Sequence, residues 1–260
     1  MATAAAIGLF AIVLSLTGAW IVSLFLRDAS IADVCWGLGF VALAWLYRGL
    51  LGANGSRSLL VAGLVTLWGV RLSVHIYRRG IGHDEDPRYA AMRDRHGRAF
   101  WWRSLLVVFW LQGALLWFIA LPLLFASRGP EAPLFAATDV VGLLVFVTGF
   151  AFEAIGDLQL QRFKRDPSNR GRVLDRGLWR YTRHPNYFGD ALLWWGLYLL
   201  SLAKPGGWLT LLSPALMTFL LVRVSGVTLL EEGLRVRKPA YADYVARTSA
   251  FLPWFPRRRA

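Results

Sequence analysis

The residues best suited to chemistry lie in the stretch WRYTRHPNYFGD, residues 179–190, which runs directly into the apolar stretch ALLWWGLYLL. Pro185 favours a helix start, because its missing N–H would be among the unbonded donors of a first turn. The start of that helix would offer free amides and the positive end of a dipole, with Arg180 and Arg183 just before it. The combination predicts an anion-binding site.

The same helix carries groups that could hold the rest of a cofactor. His184 directly precedes the proline, and Asn186 and Tyr187 belong to the first turn. Asp190 and Trp194 follow Asn186 at i+4 and i+8, so they share its face of the helix. This order predicts a ligand with phosphates outside the membrane and a flat ring inside it.

Ionisable residues also occur inside or beside apolar stretches, where a charge is costly and usually faces the interior of a helix bundle. Asp157 lies on one helical stripe with Glu153 and Gln161, at i, i+4 and i+8. His75 and Arg78 lie on a second stripe near the end of another apolar stretch. Each stripe could simply pair across helices, but two of them beside arginine-rich loops favour a binding site.

Membrane helices must position these residues, because the composition excludes a single soluble core. The chain has 260 residues, of which 56% are hydrophobic and 17% charged, and it contains 13 Trp. A span needs about 20 residues to cross about 30 Å of hydrocarbon. Seven candidate spans follow: 4–26, 31–51, 58–77, 104–126, 138–160, 187–203 and 207–230. The sequence therefore predicts an all-α, polytopic membrane helix bundle that forms one domain over residues 1–260.

The net charge of +13 is concentrated on one predicted side of the membrane. Of the 29 Lys and Arg residues, 22 lie in the segments 78–103, 162–183 and 235–260, which follow the third, fifth and seventh spans. The positive-inside rule makes that side cytoplasmic, with the N-terminus outside and the C-terminus inside. No nucleic-acid-binding module accompanies the charge, so the expected partners are membrane lipids and not nucleic acid.

The sequence supports neither a metal site, nor an intrachain disulfide, nor a Rossmann fold. The single cysteine, Cys35, allows no intrachain disulfide. The four histidines form no HExxH pair, so no metal site is predicted. No Walker A sequence and no GxGxxG motif after a strand occurs. A nucleotide would therefore bind without a Rossmann fold.

The runs NRGRVLDRGLWRYTRHPNYFGDALLWWG and LLEEGLRVRKPAYADYVARTSAFLPWFP resemble the membrane reductases of the steroid 5α-reductase type, most closely their uncharacterised bacterial branch. The resemblance covers roughly residues 30–256 and is strongest over 153–256, which it implies to be the cofactor-binding part. It implies NADPH as cofactor and the reduction of a carbon–carbon double bond conjugated to a ketone in a lipophilic substrate. A more distant resemblance, of RHPNY and the later paired glutamates, is to isoprenylcysteine carboxyl methyltransferases and phospholipid methyltransferases, which use S-adenosylmethionine.

The reductase resemblance also assigns roles to individual residues. Asp33, in SIADVCWG, and His75, in SVHIYRR, take the places of the acid and the tyrosine that grip the substrate carbonyl, which makes them the candidate catalytic residues. A His75 donor oriented by Asp33 would meet the carbonyl oxygen as hydride reaches the β-carbon. Together with the helix-start argument, the resemblance places ten residues at the cofactor: Arg78, Asp157, Lys164, Arg172, Tyr181, His184, Asn186, Tyr187, Asp190 and Trp194.

Three classes of function stay open on these grounds: an NADPH-dependent ene-reductase, an S-adenosylmethionine-dependent membrane methyltransferase, and a non-enzymatic lipid-binding or transport protein. A transporter should show internal repeats or broken helices at matching positions in two halves, and the sequence shows neither. The first class is therefore favoured. The expected location is a bacterial inner membrane, with the site facing the cytoplasm.

Overall fold

The structure is a computed structural model that describes residues 1–80, 84–129, 136–224, 231 and 241–257. Glu232 and the end of the seventh predicted span, 225–230, lie outside the described residues. The helices are α1 (Ala2–Leu26), α2 (Ile31–Leu50), α3 (Ser56–Gly80), α4 (Pro87–Ile119), α5 (Leu121–Ala126), α6 (Ala137–Arg165), α7 (Pro185–Ser201), α8 (Gly207–Val224) and α9 (Tyr241–Arg247).

The predicted class, an all-α polytopic membrane protein, is confirmed by the length and composition of these helices. Six of them, α1, α2, α3, α4, α6 and α8, are long and apolar enough to cross a membrane. Large apolar side chains on their outer faces are exposed, such as Phe10 at 69% and Phe25 at 85%. Such surfaces are stable against lipid and costly against water. The predicted orientation of the termini stays a prediction.

The sixth predicted span, 187–203, differs from the other spans. It corresponds to α7, whose 17 residues extend about 25 Å at 1.5 Å per residue and so fall short of a bilayer core of about 30 Å. Leu193, Trp194 and Leu200 on this helix are fully buried. Because protein encloses α7, it does not need the length of a lipid-exposed span. The predicted number of about seven spans stays a prediction, because six described helices are long enough to cross a membrane and α7 is shorter.

The fourth predicted span, 104–126, also has different bounds. α4 begins much earlier, at Pro87, where the side chain of Asp86 accepts a hydrogen bond from the Arg88 amide and caps the helix. The helix ends at Ile119, and α5 starts afresh with Pro122 in its first turn. Because proline has no N–H and clashes with the preceding turn, a continuous helix through this point is disfavoured.

The chain divides into two compact units. The first unit comprises Met1–Leu134 and Ser201–Thr210, and the second comprises Phe135–Leu200 and Leu211–Ala260. In the first unit, α2 and α3 approach so closely that a Cβ on Gly37 would lie 2.4 Å from the carbonyl oxygen of Gly69. The predicted single domain over residues 1–260 stays a prediction.

Candidate functional site

A seam of glycines positions the candidate cofactor residues of the second unit. Gly142, Gly149 and Gly156 recur every seven residues on α6, and Gly189 and Gly196 have the same spacing on α7. A Cβ on Gly189 would lie 2.4 Å from the Gly149 carbonyl oxygen, and one on Gly196 would lie 2.7 Å from that of Gly142. Real Cβ atoms do not approach so closely, so only glycine allows this backbone contact. The seam brings side chains next to it on both helices within reach of one another.

Asn186 and Asp157 meet at the end of this seam. Asn186 Nδ2 donates a hydrogen bond of 3.1 Å to Asp157 Oδ1. Because a carboxylate only accepts, this contact fixes the amide with its oxygen turned away from Asp157. Asn186 Oδ1 is buried and has no hydrogen-bond partner among the described residues. An unsatisfied buried acceptor costs about 1–3 kcal/mol, which a ligand N–H would relieve.

Arg183 and His184 converge on one carboxylate, that of Glu231. Arg183 Nε and Nη2 donate to the two oxygens of Glu231, at 2.7 and 3.1 Å, and His184 Nε2 lies 3.2 Å from Oε1. All three residues are buried. Burial alone would raise the pKa of the Glu231 carboxyl, but the hydrogen bonds from His184 and Arg183 and the guanidinium charge together lower it to about 2. Glu231 is therefore the ionised centre of a buried cluster.

The other predicted residues of α7 extend this region into the helix. The His184 and Tyr187 rings stack in parallel, with centroids 5.6 Å apart. Asp190 and Trp194 are buried on this helix. Their spacing of i+4 and i+8 from Asn186 places them on its helical face. The predicted start of the helix at Pro185 is confirmed.

Three of the predicted cofactor residues lie at the surface of the second unit. Lys164 and Arg172 are exposed, and Tyr181 is 36% exposed. Nearby in sequence, a cleft of about 330 Å³ is lined by Gln159, Arg162, Phe163, Asp166, Asn169, Leu174, Arg176 and Gly177. Hydrogen bonds from Ser168 and the charges of Arg176 and Arg172 lower the pKa of Asp166. The lining of the cleft thus holds one carboxylate and two arginines, Arg162 and Arg176. Arg162 and Arg176 were not singled out from the sequence.

The first unit holds the predicted catalytic acid in an unexpected pairing. Tyr89 Oη donates a hydrogen bond of 2.6 Å to Asp33 Oδ1, and Arg88 forms an ion pair with Asp33 Oδ2. Gln112 Nε2 donates to Tyr89 Oη at 2.9 Å. Tyr89 is only 4% exposed. The described contacts of Asp33 thus come from Tyr89 and Arg88 on α4, and the predicted orientation of His75 by Asp33 stays a prediction.

Four further hydrogen bonds hold this cluster in place. The Asp86 amide donates to Ser30 Oγ at 2.8 Å, which ties the start of α4 to the start of α2. Glu85 accepts from Arg93 through both oxygens at 2.8 Å and from the Ala29 amide at 2.8 Å. The tyrosine and the carboxylate are therefore fixed by the backbone around them.

His75 and Arg78 both lie on α3 in the first unit, whereas the other nine predicted cofactor residues lie in the second. His75 is half-buried and Arg78 is exposed. The catalytic role of His75 and the cofactor role of Arg78 stay predictions.

Sequence reasoning missed Tyr89 for an identifiable reason. The residue lies in the charged segment 78–103, between two predicted spans, and not in an apolar run. The dipeptide Asp86–Pro87 is a helix-start signal that would have placed Tyr89 in the first turn of a helix. Its contact with Asp33 spans 56 positions of sequence, and no local pattern predicts such a contact.

One family model and one relative match most of the chain. The family model described as a protein of unknown function, DUF1295, matches residues 19–248. An uncharacterised protein of Schizosaccharomyces pombe is 30% identical over 261 residues, which cover 90% of this chain and 75% of that protein.

Two shorter matches carry functional names. The steroid 5-alpha-reductase DET2 of Arabidopsis thaliana is 35% identical over 68 residues, 26% of each chain. The probable O-methyltransferase ustE of Ustilaginoidea virens is 33% identical over 60 residues, 23% of this chain and 21% of that protein. No solved structure matches the chain.

Proposed function

The chain belongs to the DUF1295 family, which is steroid 5-alpha reductase-like, and from this premise we propose that it is an NADPH-dependent membrane ene-reductase. The proposed reaction reduces a carbon–carbon double bond conjugated to a ketone in a lipophilic substrate. The proposed location is a bacterial inner membrane, with the three basic segments on the cytoplasmic side, as the positive-inside rule favours.

The observation that carries the proposal is the unsatisfied acceptor Asn186 Oδ1. It is buried on the first turn of α7, and Asp157 fixes its direction through the other end of the amide. The carboxamide of a nicotinamide offers the N–H groups that such an oxygen needs. The residues present therefore fit a dinucleotide head, with the exposed Lys164 and Arg172 as partners for its phosphates.

When bound, the nicotinamide would supply the hydride, and the chain would supply the electrostatic environment. Hydride addition to the β-carbon moves negative charge onto the carbonyl oxygen, so a donor that meets that oxygen stabilises the transition state. Tyr89, in the first unit, is a candidate for this donor, because its hydroxyl donates a hydrogen bond to Asp33 and accepts one from Gln112. A carbonyl oxygen would compete with Asp33 for that proton. Arg88 offsets the charge of the carboxylate.

A second candidate function is that of an S-adenosylmethionine-dependent methyltransferase. It is supported by the match to a probable O-methyltransferase and by the Arg183–His184–Glu231 cluster, because RHPNY and the later glutamates are the residues that resemble methyltransferases. The amino groups of S-adenosylmethionine could also donate to Asn186 Oδ1. The affinities of the two cofactors therefore have to distinguish the reductase from the methyltransferase.

The deciding experiment measures the affinities of NADPH, NADH and S-adenosylmethionine in one detergent. Asn186→Ala should weaken both dinucleotides about equally, by about 1–3 kcal/mol, because a buried ligand group loses its partner. Arg172→Ala should weaken NADPH more than NADH if its guanidinium reaches the 2′-phosphate. Asn54→Ala, at an exposed asparagine, is the matched control.

One further outcome would count against the reductase and another against the role of Asn186. Binding of S-adenosylmethionine by the wild type, with no binding of either dinucleotide, makes the methyltransferase the better proposal. A loss of thermal stability in Asn186→Ala with unchanged dinucleotide affinity would give Asn186 a purely structural role.

A further inference from the structure

The segment that follows α9, residues 249–257, exposes a group of large apolar side chains. Leu252 is 66% exposed, Trp254 73% and Phe255 76%. The segment belongs to none of the candidate spans. Neighbouring exposed apolar groups of this size indicate an interaction surface.

These side chains project from a backbone that is held firmly. Thr182 and Ser249 form a parallel bridge, in which the Arg183 amide donates to the Ser249 carbonyl oxygen at 2.9 Å. The Trp254 amide donates to the Tyr181 carbonyl oxygen at 2.9 Å, and Thr182 Oγ1 donates to that of Phe251 at 2.8 Å. Their exposure is therefore imposed by the fold and does not result from a loose chain end.

A ladder of aromatic rings connects this segment to a membrane span. The Phe251 and Phe188 rings have centroids 5.9 Å apart, and those of Phe188 and Phe152 are 5.1 Å apart. Phe188 lies in the first turns of α7, and Phe152 lies within the candidate span α6. The segment is thus connected by packed rings to a helix that is long and apolar enough to cross a membrane.

The charges beside the segment are positive. Arg180 and Arg257 are exposed, and the sequence continues with Arg258 and Arg259. Tryptophan is enriched at the boundary between headgroups and acyl chains, and each nearby basic residue adds attraction to anionic lipid. Aromatic side chains beside arginines are the composition of an interfacial anchor.

We propose that residues 249–257 form an interfacial anchor that binds anionic phospholipid, with Trp254 and Phe255 at the acyl boundary and Arg180 and Arg257 on the phosphates. Because the anchor is paired through its backbone with residues 181–183, its seating in the membrane also holds the segment that carries Arg183. This inference is independent of which cofactor the protein uses.

The first test locates the segment in lipid. A Trp254→Cys variant in a Cys35→Ser background is labelled with an environment-sensitive fluorophore and placed in nanodiscs of phosphatidylcholine, with or without phosphatidylglycerol. The label should be protected from an aqueous quencher, and more strongly when the anionic lipid is present. A label on Ser168→Cys, at an exposed turn residue, is the control and should stay accessible in both.

The second test keeps Trp254 in place and examines the coupling. Because the Phe255 ring also contacts the Tyr181 ring, the readout is the effect of lipid: Phe255→Ser should speed backbone amide exchange in residues 181–188 at least about threefold more in the anionic nanodiscs than in phosphatidylcholine alone. Trp208→Ser, at another exposed tryptophan, should leave that exchange unchanged.

Several results would overturn the anchor. A label at 254 that is as accessible to quencher as the label at 168 would show that the segment does not enter lipid. Oxidative disulfide cross-linking between two unlabelled Trp254→Cys chains, independent of lipid composition, would make the surface an interface between copies. Equal rates of amide exchange in residues 181–188 of Phe255→Ser and Trp208→Ser would show that the anchor is not coupled to that segment.

Discussion

Replacing Glu231 with Gln should destabilise the protein in a way that depends on pH. The substitution keeps the shape of the side chain but removes the charge that Arg183 and His184 share. Removing one partner of a buried ion pair is strongly destabilising, because the remaining charge stays buried without compensation. We therefore expect a large loss of unfolding free energy at neutral pH.

The pKa of Glu231 gives the magnitude. It falls from 4.5 to about 2 in the folded protein, which corresponds to a stabilisation on the order of 3 kcal/mol at 1.36 kcal/mol per pKa unit. Because the folded-state pKa is the lower one, this contribution is complete above the unfolded value of 4.5 and is lost as the pH falls towards 2. Wild type and variant should therefore differ most near neutral pH and converge in acid.

The assay is unfolding in mixed micelles by titration with sodium dodecyl sulfate, followed by tryptophan fluorescence at about pH 6, 4 and 3. Asp175→Asn is the matched control, because Asp175 faces Arg247 at 3.7 Å and is largely exposed, so its loss should cost less than about 1 kcal/mol. A gap between wild type and Glu231→Gln that stays constant down to the lowest pH would refute the reasoning. The reasoning would also be refuted if Glu231→Gln lowered the free energy of unfolding no more than Asp175→Asn does.

Three further predictions address the catalytic donor, the helix seam and the topology. Tyr89→Phe should lower NADPH oxidation with a steroid enone at least about tenfold, which is about 1.4 kcal/mol of barrier, without changing NADPH affinity. If His75→Phe lowers it instead and Tyr89→Phe does not, the donor is His75. Gly189→Ala should cost about 1–3 kcal/mol of stability, because its Cβ would lie 2.4 Å from backbone atoms of α6, whereas Gly63→Ala, with open space around it, should be neutral or stabilising. In a Cys35→Ser background, one cysteine label in each of the three basic segments should react from the cytoplasm only, and periplasmic reaction of any one would contradict the predicted topology.

The sequence alone determined the features that depend on neighbouring residues. Apolar runs of about 20 residues indicated membrane helices, because the bilayer sets their length and forbids unpaired backbone groups. Pro185 indicated the start of α7, because its ring fixes the backbone and its missing N–H is tolerated only there. The i+4 spacing placed Asn186 and Asp190 on one helical face.

Only the tertiary structure decided which of these residues meet. Tyr89 reaches Asp33, and Glu231 reaches Arg183, across more than 45 positions of the chain. Such pairs depend on how helices pack, and packing depends on features that look unremarkable in a sequence, such as glycines every seven residues that let α6 and α7 touch. The length of α7 is a second feature that tertiary structure decided. The helix is too short to span a bilayer, and it is tolerated because other parts of the protein enclose it.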